Sequence, residues 1–217
     1  MISSSVSRKI TMAISGLFLV IFLAQHFTIN ITSVFSEKTF NELSHFMGTN
    51  PLVQFVLQPI LIFGVVYHFL MGFYLEIINR SSRNIKYSFY KGSSNSSWMS
   101  RNMIISGLVI LSFLGLHFYD FWFPEIDYKY LKILPENPER YYEELVHKFN
   151  NPIRVVLYVI SFVFLALHLL HGFDSAFQSI GVNNKYSIAI KKGTTIFSLI
   201  IPLGFVFIAL FHYLNHG

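Results

Sequence analysis

Cysteine is missing from the 217-residue chain, and charged residues make up only 12% of it. The first absence excludes disulfides, thiolate-held iron–sulfur clusters and covalent cofactor attachment through a C-x-x-C-H motif. The second excludes an ordinary soluble domain, in which about a quarter of the residues carry charge. Apolar residues fill the place instead: 53% of the chain is hydrophobic and 18% aromatic, with 24 phenylalanines. That composition is the mark of a membrane protein. The net charge of +5 is modest and no nucleic-acid motif is present, so the cations matter through the loops that carry them.

Five apolar segments are long enough to span a hydrocarbon core, which takes about 20 helical residues. They lie near Ile10–Val34, Leu52–Asn79, Arg101–Phe123, Ile153–Phe177 and Gly193–Asn215. The first continues past Phe27 without a small-x-small cleavage site, so it reads as a spanning helix of the mature chain rather than a secretory signal. Segments two and four begin after Asn50-Pro51 and Asn151-Pro152, a proline placement that suits a helix start. Arg8, Lys9, Arg80, Arg83, Lys86, Lys91, Arg101, Lys185, Lys191 and Lys192 fall on one side of the bundle. Lys38, Lys129, Lys132, Arg140, Lys148 and Arg154 fall on the other. The positive-inside rule then puts the N-terminus in the cytoplasm. The acidic stretch Pro124–Asn151 is expected outside, with a short amphipathic helix in it. The inner loop Arg80–Ser100, rich in Ser, Asn, Lys and Tyr, reads equally as a linker or a docking surface.

The histidines are the informative residues, because an ionisable side chain within a membrane segment marks a functional site by default. Leu167–Phe173 contains His168, His171 and Gly172, and Tyr67–Phe73 echoes it with His68 and Gly72. The echo belongs to a longer duplication. Ser15-Gly16-Leu17 leads to His26 in the first segment, and Ser106-Gly107-Leu108 leads to His117 in the third at the same spacing. Each half is therefore a helical hairpin with one repeated histidine per helix. With a rise of 1.5 Å per residue, His26 and His117 lie roughly 22–24 Å along helices that start inside, and His68 and His168 about 24 Å along helices that start outside. Four histidines form two layers, separated by on the order of 15 Å. Paired imidazoles from separate helices suit an iron porphyrin, one b-type haem per layer.

The glycine four residues after His68 and His168 lies on the same helix face, where the missing side chain lets a flat macrocycle approach. Small-residue helix packing is the competing explanation. Helix geometry alone does not separate His168 from His171, which point to nearby faces. Aligning Gly172 with Gly72 does: His168 stands opposite His68, and His171 becomes a neighbouring or packing residue. His147 and His216 read as solvated surface positions, and His212 as interfacial. His45, in Phe40–Met47, is a candidate proton-exchange residue for a quinone near the outer layer, with a plain interfacial role as its alternative.

Five helices with repeated histidines in the first four resemble the dihaem cytochrome b558 membrane anchor of succinate:quinone oxidoreductases (succinate dehydrogenase and fumarate reductase). The resemblance covers nearly the whole chain. It is carried by the Ser-Gly-Leu-Phe run to Gln25-His26, the Phe40-Asn41 to His45-Phe46-Met47 segment, Tyr67-His68, His117, and His168 with its spacing to Gly181. It implies two haem b groups. His68 and His168 would bind the cytoplasmic-side iron, nearer the iron–sulfur subunit, and His26 and His117 the distal one. It further implies menaquinone as substrate, flavoprotein and iron–sulfur subunits on the cytoplasmic side, dicarboxylate chemistry on that flavoprotein, and a bacterial cytoplasmic membrane. A homodimer of the complex is compatible with it. One departure is Ala166, where some dihaem relatives carry a proton-transferring glutamate.

The expected fold is thus an all-α membrane protein of one domain, 1–217, whose first four transmembrane helices form a haem-binding bundle built from a duplicated hairpin. Two other readings compete. A cytochrome b subunit of a hydrogenase or formate dehydrogenase shares the chemistry, but the duplicated His-x-x-x-Gly and the Phe40–Met47 segment favour the first. A small haem-free transporter or assembly factor explains the repeat as transporter duplication.

Overall fold

A computed structural model of the chain describes residues 4–81, 102–182 and 186–216. The loop expected at 80–100 lies almost wholly outside these residues, as do Arg83, Lys86, Lys91, Trp98, Arg101 and Lys185. Among the described residues all regular structure is helical. Five helices are long and apolar enough to cross a membrane: α1 (Ser5–Phe35), α3 (Val53–Ser81), α4 (Met103–Leu131), α6 (Pro152–Ser179) and α7 (Ser187–His216). Two short helices, α2 (Glu37–Thr49) and α5 (Arg140–Phe149), lie between crossings.

The expected caps are present. Asn151 Oδ1 accepts from the amides of Ile153 and Arg154 at 3.0 and 3.2 Å, and Asn50 Oδ1 accepts from Leu52 and Val53 at 3.0 and 3.3 Å. Each satisfies orphan donors in the first turn, with a proline beside it that has no N–H to satisfy. The third crossing runs beyond the expected end at Phe123, to Leu131. Pro124 should break a helix there, since it lacks an N–H and crowds the preceding turn. The chain instead widens into π turns on both sides, at Phe118–Trp122 and Asp127–Leu131, and so absorbs the interruption.

The crossings alternate in direction, so one face of the bundle holds the start of α1 and the other carries α2 and α5 as a lid. Large apolar side chains point outward along the crossings, including Phe55, Phe63, Ile188 and Leu203, all more than 60% exposed. A surface of that kind is stable against lipid and not against water. The tightest packing is at the lid end, where Phe149, Tyr158, Phe162, Phe205, Ile208 and Ala209 interlock. Gly204 sits against the Phe27 ring so closely that a Cβ would fall 2.3 Å from it, which seats α7 directly on α1.

Buried Asn41 holds the lid on. It accepts from the Tyr142 amide at 2.8 Å and donates to the Glu139 carbonyl at 3.1 Å, joining α2 to the start of α5. Arg140 adds to this with ion pairs to Glu125 and Glu144 and stacking 4.1 and 4.4 Å above the Tyr128 and Tyr141 rings. The lid-face cations are largely matched by acids, as in Lys129–Glu125, Lys132–Asp127 and Arg154–Asp120.

Candidate functional site

The duplicated hairpins bring the four repeated histidines together in the two pairs that the spacing implies. His68 and His168 face each other with ring centroids 6.4 Å apart, planes at 69°. His26 and His117 do so at 5.7 Å and 87°. The first pair lies toward the face that begins α1, the second toward the lid. His168 rather than His171 meets His68; His171 is half-buried on the same helix.

In the N-terminal layer the Ser-Gly dipeptides are part of the site. Ser15 Oγ stands 3.0 Å from His68 Nδ1, and Ser106 Oγ 3.1 Å from His168 Nδ1. Each serine also donates to the carbonyl three residues back, Ser15 to Met12 at 2.8 Å and Ser106 to Met103 at 2.9 Å. A hydroxyl has a single proton to give, so towards the imidazole it is an acceptor. With the serine proton on its helix carbonyl, Nδ1 of each histidine is the donor and Nε2 presents a lone pair. The neighbouring glycine makes room for the ring: a Cβ on Gly16 would lie 3.3 Å from His68 Cε1, and one on Gly107 3.9 Å from His168 Cε1. Sequence reasoning used these dipeptides only to align the repeat; their position at the depth of the partner helix's histidine was the signal of a contact.

A Cβ at Gly72 would lie 3.5 Å from the methyl end of Met12, and one at Gly172 3.0 Å from that of Met103, so both glycines stand beside a neighbouring helix.

The lid layer is walled by aromatic rings. Phe22 stacks on His26 at 5.5 Å and Phe205 of α7 tilts against it at 5.8 Å. Phe113, Phe121 and Tyr158 surround His117 at 5.7, 5.3 and 6.4 Å. His117 Nδ1 is buried with no hydrogen-bond partner. The π turn after His117 turns Asp120 inward, where it is 1% exposed. It accepts from the Tyr158 hydroxyl at 2.9 Å and pairs with Arg154 at 3.1 Å. A carboxylate three residues after a repeated histidine was legible in the sequence; its two partners, on another helix, were not.

His45 is placed on α2 against the Tyr141 ring at 6.1 Å, with Nε2 4.0 Å from Glu136. Two residues on, Met47 Sδ accepts from Gln25 at 3.4 Å, which links its helix to the neighbour of His26. Beside it, burial and the Glu125 carboxylate push the Tyr141 phenol up to about 12. Burial works against the Arg140 charge, but Glu125 and Glu144 outweigh it and hold the guanidinium above its ordinary range. His212, expected at the interface, is instead fully buried, because the lid covers the end of α7.

Among the described residues no group of three or more His, Cys, Asp or Glu side chains converges as a metal site. A closed tetrahedral centre is therefore not what these residues build. Each layer instead brings two imidazoles together from separate helices. No family model, curated protein or solved structure matches the chain.

Proposed function

We propose that the chain is a dihaem cytochrome b, the membrane anchor of a succinate:quinone oxidoreductase, passing electrons between an iron–sulfur subunit and menaquinone. The observation that carries this reading is the pair of stacked histidine layers, one of them with both imidazoles bonded to a repeated serine. With ring centroids 6.4 and 5.7 Å apart, each pair of imidazoles would be able to share one metal ion at the usual metal–nitrogen distance of about 2 Å.

Bound haem supplies reversible one-electron chemistry at iron. The chain's residues hold and surround it. His68 and His168 would ligate the iron of the N-terminal layer, His26 and His117 that of the lid layer. Ser15 and Ser106 fix ring orientation and proton position in the first layer. Phe22, Phe113, Phe121 and Phe205 keep water from the second. Arg8 is a candidate counter-ion for an anionic edge of the first group: its guanidinium reaches the Tyr74 hydroxyl at 3.1 Å, while its buried Nε has no partner. His45 remains the candidate proton-exchange residue for quinone. The orientation follows the basic residues, with the N-terminus in the cytoplasm of a bacterium and the lid outside.

A reduced-minus-oxidised spectrum with a pyridine haemochrome assay on the purified chain tests the reading. Two b haems per chain are expected, and a colourless protein would overturn it. Copurification with a flavoprotein and an iron–sulfur subunit separates this anchor from the cytochrome of a hydrogenase or formate dehydrogenase.

A further inference from the structure

His212 belongs to neither histidine pair and has no counterpart in the four-helix repeat. It is 0% exposed, and its Nε2 stands 2.9 Å from Ser33 Oγ. That serine's proton is committed, because Ser33 donates to the Asn30 carbonyl at 2.7 Å. Ser33 therefore accepts from His212, whose proton sits on Nε2 and whose Nδ1 is a bare acceptor. Nδ1 is buried without a hydrogen-bond partner. An imidazole anchored at one nitrogen and open at the other has one free position for a proton.

Both ends of this arrangement lead somewhere. Ser33, Asn30 and His26 follow one face of α1, and the Asn30 amide donates to the His26 carbonyl at 2.8 Å. Seven residues of helix separate Ser33 from His26, a rise on the order of 10 Å. In the other direction His216 stacks on His212 at 5.9 Å and is exposed. Its Nε2 lies 3.2 Å from the Tyr142 hydroxyl, and the Tyr142 ring meets His212 edge-on at 5.6 Å. Tyr142 and His216 line a depression of about 380 Å³ on the lid face, together with Glu37, Glu143 and His147. Phe149 and Phe211 close the remaining sides of the His212 ring.

We propose that His212 is a redox-linked proton acceptor, loaded from the lid-face depression when the His26/His117 layer is reduced. This rests on the reading that haem occupies that layer. The balance is simple: one electron arrives at iron from the N-terminal layer, and one proton from water in the depression bonds to His212 Nδ1, with no other bond broken. Oxidation returns the proton by the same route. One added negative charge on the order of 10 Å away, at an effective dielectric near 20, raises the proton affinity of the imidazole roughly tenfold. The polar groups in contact with His212 are uncharged Ser33 on α1, Tyr142 on α5 and His216 on its own helix; Glu37, Glu143 and His147 line the depression beyond them.

The test uses the haem-loaded chain in lipid nanodiscs, titrated with reductant at a series of pH values. The midpoint of the lid-layer haem is expected to fall as pH rises, since reduction takes up a proton. In His212→Gln, whose amide can still donate to Ser33, that dependence should vanish, while Lys38→Gln should retain it. An unchanged slope in His212→Gln would overturn the proposal. Nitrogen NMR of labelled histidine in the parent protein gives a second readout that needs no variant: His212 should carry its proton on Nε2 when oxidised and gain one on Nδ1 at a roughly tenfold lower proton concentration when reduced. A proton on Nδ1 in the neutral ring would equally overturn it. A preparation without haem fails the haemochrome count and removes both readings, whereas a dihaem protein with an unaltered slope removes this one alone.

Discussion

The two histidine layers come from one duplicated motif, yet they are held in different ways. In the N-terminal layer the halves agree closely: Ser15 with His68 and Ser106 with His168, at distances of 3.0 and 3.1 Å. In the lid layer the symmetry fails. Asp120, Tyr158 and Arg154 form a buried cluster beside His117, but the corresponding positions in the first half are Ile29, Gln58 and Gln54. His26 leans instead on Phe205 from the unrepeated α7. The repeat supplied the two histidine pairs, and the lid, α7 and one carboxylate then made the lid layer's environment distinct. Under the proposed function, unequal surroundings would give the two layers unequal potentials.

Removing ligands tests the comparison most severely. His168→Ala should cost one haem from the N-terminal layer and His26→Ala one from the lid layer, while His171→Ala keeps both; haem per chain, counted as pyridine haemochrome, decides. Loss of haem from His171→Ala would reverse the pairing. Next comes the asymmetric cluster. Asp120→Asn removes a charged acceptor from Tyr158 and Arg154, and because Arg154 keeps access to water the cost should be about 2–3 kcal/mol. Thermal unfolding in detergent measures it, and Ile29→Ala gives the comparison in the other half.

Ser15→Ala and Ser106→Ala address the symmetric layer. Each should weaken haem retention there by roughly 10- to 100-fold, the usual penalty for losing the partner that orients a ligating histidine. Haem transfer to an apo-acceptor reads this, and unequal effects in the two halves would break the symmetry argued above. The smallest effect concerns the lid. Tyr141 holds its proton more tightly in the folded protein, with a value near 12, against about 10 in an unfolded chain. Its contribution to lid stability is therefore complete below about pH 10 and lost as pH rises toward 12. Tyrosinate absorbance should lose one late-titrating phenol in Tyr141→Phe.

Apolar runs and a period-bearing repeat made the fold legible. Five crossings, the Asn-Pro starts and both histidine pairs follow from segment length, capping chemistry and helical rise. Less visible was anything that depends on a lid. His212 reads as interfacial when α7 is taken alone, and becomes buried only because α5 folds across its end. Arg154 counts as a loop cation until Asp120 is turned inward by a π turn, which no periodicity announces. The glycines after His68 and His168 are open to two explanations, and the methionine ends opposite them, which no periodicity places, fit the packing one.

The commitment of Ser15 and Ser106 to the Met12 and Met103 carbonyls has a bearing on biogenesis. Those hydrogen bonds form as soon as α1 and α4 coil, since both partners lie within one turn of the same helix. When the hairpins close, the imidazoles of the N-terminal layer meet hydroxyls already held by their own helices. Under the proposed function, a bundle so arranged could be inserted first and take up haem afterwards.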